Sequence, residues 1–402
     1  LKSSGSYDAA EEDERDTLVC DENGFAQSKD MPYGVYTVHQ TKGWEGRELM
    51  SDFDVFISKD GQTYRYLINN ANFESFIKVV KKDAETGKTI PYAGAGFQIY
   101  DPSGNKVTMT FTYPTPTTID TFYTDADGQL VTPEKLEYGK GYSLVEVQAP
   151  YGYVLDSTPV SFNVTEENAT QEGTIKLVKV EKPNMAQKGT ISVEKTGEVF
   201  FGVNVSGEEG KDVIYQPVYK VKGLTGATYE ITADEDVVTP DGTLRYQKGD
   251  VVDTITTDEE GTAKSKELYL GKYTVTETKA PEGMVINKDG HQVELTYAGQ
   301  EVAVTETATS FYNERQKVKI SLEKVLEQDE TFGIGKNDEL KNISFGLYAK
   351  EDIVSESGTV IPADGLIEII GLAEDGTATV ATDLPFGSYY ICLLYTSPSP
   401  RD

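Results

Sequence analysis

The stretch Asn184-Met185-Ala186-Gln187-Lys188-Gly189-Thr190-Ile191-Ser192-Val193-Glu194-Lys195 decides how this chain is read. It opens on an Asn, and eleven positions later an alternating run closes on a Lys. The same step runs from Asn70 to Lys81 and from Asn313 to Lys324. Successive Asn positions lie 114 and 129 residues apart, and the Lys positions keep the same intervals. Such a period is too long for a solenoid repeat and matches a whole domain. Each step therefore reads as a seam, where the last strand of one domain hands over to the first strand of the next.

Outward from the seams, one pattern recurs four times. An acidic turn with Gly comes first: Asp21-Glu22-Asn23-Gly24, Asp125-Ala126-Asp127-Gly128, Asp258-Glu259-Glu260-Gly261 and Glu374-Asp375-Gly376. A Gly-to-Tyr step follows, at Gly34/Tyr36, Gly139/Tyr142, Gly271/Tyr273 and Gly387/Tyr389. Short alternating strands at regular spacing, with turn chemistry between them and almost no helical periodicity, predict β-sandwiches. The length of 402 residues suits several such domains. The expected division is a partial domain at 1–73, complete domains at 74–186 and 187–315, and a partial domain at 316–391.

Side-chain direction turns the pattern into chemistry, because strand residues two apart share a face. Ile191 and Val193 place Lys195 on their face, Ile320 and Leu322 do so for Lys324, and Ile77 and Val79 for Lys81, although Phe76 and Val80 blur that alternation. In Y-S-L-V-E-V-Q-A-P-Y-G, Tyr142, Leu144 and Glu146 share a face; in Y-T-V-T-E-T-K-A-P-E-G, Tyr273, Val275 and Glu277 do. Each complete domain thus aims one Lys and one Glu at an apolar core. Burial lowers the pKa of Lys and raises that of Glu. A neutral amine beside a protonated carboxyl is a nucleophile next to an acid. With an Asn carbonyl in reach, the amine attacks, ammonia leaves, and a Lys–Asn amide remains. Ordinary rim ion pairs would explain one such domain; the recurrence of both strings favours the buried reading.

Composition excludes other classes. A formal charge of −30 argues against nucleic acid, whose phosphates require Lys and Arg clusters, and fits a solvated surface. No apolar run approaches the roughly 18 residues of a membrane span. Two Cys, Cys20 and Cys392, rule out a disulfide framework, and with His39 and His291 they do not make an ordinary zinc site. The acidic turns are too short and irregular for an EF-hand loop, so neither metal nor cofactor is expected. The lone Trp44, in K-G-W-E-G, is expected to cap a core rather than serve as a ligand platform.

These residues resemble the B-type repeats of Gram-positive collagen adhesins and the SpaA-type pilin domains. The resemblance covers nearly all of residues 17–391. It is most specific at Lys81 in K-K-D-A-E-T-G-K, at A-G-A-G-F-Q-I-Y from Ala93 to Tyr100, and at E-V-Q-A-P-Y-G-Y from Glu146 to Tyr153. It implies an all-β chain of tandem Ig-like or prealbumin-like sandwiches, part of a longer multi-domain protein. It also implies intramolecular isopeptide bonds, Lys81–Asn184 promoted by Glu146 and Lys195–Asn313 promoted by Glu277. Asn70 and Lys324 are orphan partners of the same kind. Secretion, cell-wall display and an adhesive or pilus-like role follow from the resemblance, with no enzymatic turnover beyond bond formation. The partners it implies are a host matrix protein or other surface ligand, and neighbouring domains of the same chain.

The chain departs from the family pattern in four places. Gln40 stands at the acid position of the first repeat, in Y-T-V-H-Q-T-K-G-W, and the Lys that would serve Asn70 falls before Leu1. Lys182-Pro183 breaks the alternation ahead of Asn184, whose assignment rests on spacing. No L-P-x-T-G sorting signal occurs. After Ile391 the repeat calls for an acidic residue near 393, but residues 392–402 read C-L-L-Y-T-S-P-S-P-R-D. This segment is read as a translated sequencing adapter and set outside the fold. The competing functional reading is that the repeats are accessory modules of a larger ligand-binding or carbohydrate-active surface enzyme whose head lies elsewhere.

Overall fold

Val, Ile, Thr and Tyr at every second position make strands, and the computed structural model is built from them, with only single-turn 3-10 segments beside them. It describes residues 5–112, 114–207, 213–326, 331 and 339–395. Residues 396–402 of the C-terminal segment, and 327–330 and 332–338 of the last repeat, lie outside the described residues. The chain forms tandem prealbumin-like sandwiches in two compact units: 1–186 with 299–301, and 187–298 with 302–402.

In the first unit, the second repeat sets two sheets face to face. One sheet runs in the order Ala169–Glu172, Ile175–Asn184, Glu74–Asp83, Gln129–Val131. The other runs Val160–Val164, Gly139–Gln148, Gly96–Tyr100, Phe122–Tyr123. Ile77, Val79, Phe97, Ile99, Leu144, Val164 and Val180 fill the space between them. Each such side chain contributes about 1.5–3 kcal/mol when fully buried. Glu74–Asp83, the Lys strand, pairs in parallel with Ile175–Asn184, the Asn strand, in a register that sets Lys81 opposite Lys182. Gly139–Gln148, the Glu strand, crosses from the facing sheet. Val80 is buried along with Val79 and Lys81, so both faces of the Lys strand are covered there; that is the cause of its blurred alternation.

The third repeat, in the second unit, repeats the plan. Its Lys strand pairs in parallel with its Asn strand, Val304–Asn313, and places Lys195 opposite Phe311. The facing sheet runs Val251–Thr256, Thr228–Ala233, Gly271–Lys279, His291–Leu295. Here the Lys strand does not stop. It continues from Lys188 to Ser206 and returns through Ile214–Gly223, an antiparallel hairpin with a register shift between Phe200 and Gly202. The second repeat has no such hairpin, and the extra length of the third goes into it.

The hairpin belongs as much to the fourth repeat as to the third. Phe200, Val203 and Tyr215 pack against a core of Leu347, Ala349, Ile353, Ile361, Ile367 and Ile370. Phe200 O accepts a hydrogen bond from Glu356 N at 3.1 Å, and Phe201 O accepts one from Ser357 N at 3.0 Å. Arg315, two residues past Asn313, is buried; its guanidinium lies 3.9 Å from the Tyr219 ring centroid. It donates to Leu384 O at 3.3 Å and to the Asp383 carboxylate, which it holds below the usual range.

Residues 392–395 of the C-terminal segment extend the strand Tyr389–Tyr395, which pairs with Ser344–Ala349. The ladder is made by backbone groups and does not require particular side chains. The side chains fit less well, since Ile391 and Leu393 are 37% and 42% exposed.

Tyr215→Ala should open the fourth repeat and spare the core of the third. Amide exchange of Ser344–Ala349 should accelerate about tenfold, the equivalent of ~1.4 kcal/mol, with Gly271–Lys279 unchanged. Equal acceleration in both strands would show that the hairpin is not a separate support for the fourth repeat.

Candidate functional site

Each Lys is fixed first through its backbone. Lys81 N donates to Gly128 O at 2.9 Å, Lys195 N to Gly261 O, and Lys324 N to Gly376 O at 2.9 Å. The acceptors are the glycines of the acidic turns. In those turns the Asp carboxylate caps its own loop: Asp125 Oδ1 accepts from Asp127 N and Gln129 N, and Asp258 Oδ1 from Glu260 N and Thr262 N. The acidic clustering is therefore Asx-turn chemistry. Among the described residues no group of His, Cys, Asp and Glu is arranged to hold a metal. Gly261 has φ +82°, and a Cβ there would sit 2.5 Å from Lys195 O, so the turn can approach the Lys strand only as Gly.

The A-P-x-G string supplies the second fixture. Tyr153 N donates to Pro150 O and Met284 N to Pro281 O, both at 3.1 Å. These turns carry the chain from the Glu strand to the end of the Asn strand, where Tyr153 bridges Ala186 and Met284 bridges Arg315. The first repeat makes the same bridge, Arg47 to Asn72, with Trp44 at the Pro position of the turn. Trp44 does not cap a core: it is 63% exposed, whereas Pro150 and Pro281 at the same turn position are buried.

Between these fixtures the side chains meet. In the second repeat Lys81 Nζ lies 2.7 Å from Glu146 Oε1, with neither side chain exposed. Asn184 Nδ2 donates to Glu146 Oε2 at 2.6 Å and to Val154 O at 2.6 Å, while its Oδ1 is buried without a partner. Lys81 Nζ also donates to Lys182 O at 3.0 Å. In the third repeat Lys195 Nζ lies 2.9 Å from Glu277 Oε1 and donates to Asn313 Oδ1. Asn313 Nδ2 donates to both Glu277 oxygens at 2.9 Å. A backbone amide ten positions after the acid steadies each carboxylate: Asp156 N to Glu146 at 3.1 Å, and Asn287 N to Glu277 at 2.8 Å.

Electrostatics follow from burial. Desolvation pulls Lys81 down to about 8, against the opposing pull of Glu146, and lowers Lys195 in the same way. Aromatic rings complete the enclosure: Phe97 5.8 Å from Lys81 Nζ, and Tyr229 and Phe311 each 5.8 Å from Lys195 Nζ. His291 stacks on Phe311 from beyond, at 3.9 Å. Tyr229 stands opposite Glu277 in the register where Phe97 faces Glu146. Its buried hydroxyl lies beside Glu277 and is pushed up by burial and by that carboxylate. Tyr229 and Phe311 went unsingled in the sequence, although one lies in the strand facing Glu277 and the other two residues before Asn313. In both repeats the carboxylate stands between the amine and the amide Nδ2, and in the third the amine also meets the amide oxygen.

The orphan positions keep the frame without the full set. Asn70 Nδ2 donates to Gln40 Oε1 at 2.7 Å and to Glu48 O at 2.6 Å, and Met50 N donates to Gln40 Oε1 at 3.0 Å. Gln40 thus occupies the place of the acid as an amide. In the fourth repeat Lys324 is half-buried, and Leu393 faces Phe345 in the register of Glu146 and Phe97.

A family model described as a prealbumin-like fold domain, SpaA, matches residues 4–72, 75–179 and 218–309, more than half of the chain. The chain belongs to the SpaA family. The third match begins inside the hairpin, so the SpaA pattern resumes where its second strand returns to the sandwich. No curated protein matches the sequence. Among solved structures, the Bacillus anthracis TIE protein is 22% identical with a TM-score of 0.50, covering 94% of this chain and 60% of that one. This SpaA chain thus spans less than two thirds of that protein. A streptococcal ancillary pilin is 17% identical, TM-score 0.24, covering 71% of this chain and 76% of its own. BcpA, the major pilin subunit of Bacillus cereus, is 16% identical, TM-score 0.22, covering 60% and 100%.

Gly261→Ala tests the backbone fixture of this SpaA repeat. Strain at a positive φ and contact with Lys195 O should cost about 1–3 kcal/mol and displace Lys195. Faster exchange of the Lys195 and Leu224 amides would report it; unchanged protection would show that the turn does not set the Lys.

Proposed function

We propose that this chain is a segment of a cell-surface stalk or pilin-like adhesin, stiffened by intramolecular Lys81–Asn184 and Lys195–Asn313 isopeptide bonds. The observation that carries the reading is the doubled triad: in two repeats a buried carboxylate bridges a buried amine and a buried Asn amide. Breaking such a pair by removing one partner costs about 3–5 kcal/mol, and keeping it charged contributes little stability. Conversion to an amide removes both charges at once. The neutral amine of Lys attacks Asn Cγ, and its proton passes through Glu146 or Glu277 to Nδ2. The Cγ–Nδ2 bond breaks, and ammonia departs. Each chain reacts once per triad, so the chemistry is assembly and not turnover. Family membership and the absence of any membrane-length apolar helix among the described residues are compatible with display outside the cell.

The mass of the folded chain tests this directly. It should fall short of the sequence mass by two ammonia molecules, one per triad. Glu277→Ala should restore one of them while Lys195 and Asn313 remain adjacent. An unmodified wild-type mass, or full ammonia loss in the variant, would defeat the assignment.

The mechanical consequence is separately measurable. Lys195 and Asn313 lie 118 positions apart, at the start and end of one repeat. By analogy with a disulfide closing a loop of that order, the bond would add roughly 4–5 kcal/mol, against the 5–15 kcal/mol typical of a domain. Under force, residues 196–312 should release no contour length in the wild type and should extend in Lys195→Ala. The same extension in both would leave the stalk without its stiffening.

A further inference from the structure

Lys182 is a second buried lysine beside the first triad, and bond formation does not consume it. It is 1% exposed and stands opposite Lys81 in the parallel ladder, where the third repeat has Phe311. Its Nζ donates to Asp156 Oδ2 at 2.7 Å and to Thr158 O at 2.9 Å. The segment it holds is the one that orients the triad. Asp156 N donates to Glu146 Oε2, and Val154 O accepts from Asn184 Nδ2. The carbonyl of Lys182 itself receives Lys81 Nζ. One residue therefore touches the nucleophile directly, and the acid and the amide through a single loop.

A phenylalanine fills the same register in the third repeat, so packing does not require a charge there. A buried ion pair adds little or no stability compared with an apolar side chain. Both loops share a local turn bond, Thr158 N to Asp156 Oδ1 and Asp289 N to Asn287 Oδ1, and the second repeat adds the Lys182 ammonium to it. We propose that Lys182, through Asp156, is a positioning residue for the Lys81–Asn184 cross-link, holding Glu146 and Asn184 in line with Lys81. This rests on the cross-linking reading and adds a control that only the second repeat possesses. The bonds made and broken are unchanged: Lys81 Nζ joins Asn184 Cγ, Nδ2 leaves as ammonia, and Glu146 carries the proton between them.

The charges facing Lys81 are Glu146 from the Glu strand, Lys182 from the Asn strand, and Asp156 from the loop, with the Phe97 ring closing the fourth side. The reactive state holds one proton between Lys81 and Glu146, so closure should follow a bell-shaped pH profile. Removing the positive charge of Lys182 takes a like charge from beside Lys81, which then holds its proton more tightly, and moves the bell to higher pH. Removing the negative charge of Asp156 moves it to lower pH.

The experiment uses the full chain, recovered unfolded from inclusion bodies and shown by its unmodified mass to hold no closed triad, and refolded by dilution across a pH series. Ammonia loss is followed at each triad by peptide mass mapping, with the third repeat as the clock in the same molecule. In Lys182→Met, closure of the second repeat should slow between about tenfold and a hundredfold, the range for reacting groups about 1 Å out of line, with the bell shifted upward. Asp156→Asn, at a partly exposed position that needs no repacking, should slow closure and shift the bell downward. Closure at the Lys195–Asn313 site should be unchanged in both. Wild-type rates and profiles in the two variants would overturn the proposal. So would slowing without opposite pH shifts, which marks a merely structural role. No ammonia loss in the wild type at either site would instead defeat the cross-linking reading, and the role of Lys182 with it.

Discussion

Everything at the candidate site depends on parallel pairing between the first and last strands of a repeat. A β-sandwich begins and ends its chain far apart in sequence, and in both complete repeats those two strands lie side by side in one sheet. Parallel ladders cost long connections and are slightly weaker per residue than antiparallel ones. What this ladder provides is placement. It puts the Lys of the opening strand opposite the residue two before the Asn of the closing strand, on the inward face. The carboxylate arrives from the facing sheet. No loop has to hold a reacting group, and all three side chains project from strands whose register the surrounding apolar residues fix.

The two complete repeats solve the same problem with different neighbours. The third surrounds its amine with Tyr229 and Phe311 and sets a phenolic hydroxyl beside the carboxylate. The second uses Phe97 and admits another lysine, stabilised by a carboxylate on the rim. The first keeps the hydrogen-bonding frame but fills the acid position with Gln40, an amide that holds Asn70 and carries no charge. A common backbone thus supports different side-chain sets, because the frame is made of turn glycines and backbone amides while the buried polar groups are few and differ between repeats.

Much of this was legible in the sequence, for a definable reason. Period-two alternation assigns a face to every strand residue, so the inward direction of Lys81, Lys195, Glu146 and Glu277 could be read without coordinates. Asn184, placed by spacing alone, lies at the carboxylate despite the Lys182-Pro183 break, because the ladder register overrides the local irregularity. The rest was hidden where information is not local. Val199, Phe201, Val203 and Val205 keep the phase of Ile191 and Val193, so the strand's passage from one sandwich to another is marked only by the extra Phe200 beside the register shift. Trp44 misled because hydrophobicity predicts burial only on average, and this side chain stays exposed at a turn position where Pro150 and Pro281 are buried.

The hairpin and Arg315 give the join between the third and fourth repeats a further property. The chain enters the third sandwich along the Lys strand and leaves it along the Asn strand, and both of these neighbouring strands run straight on into contact with the fourth repeat. A joint made by one covalent connection is a swivel. Here a second, non-covalent attachment beside the first turns it into a bracket, which resists rotation about the long axis as well as bending across it. Torsional stiffness is then decided at the joint, by Tyr219, Arg315 and Asp383, and not inside either sandwich.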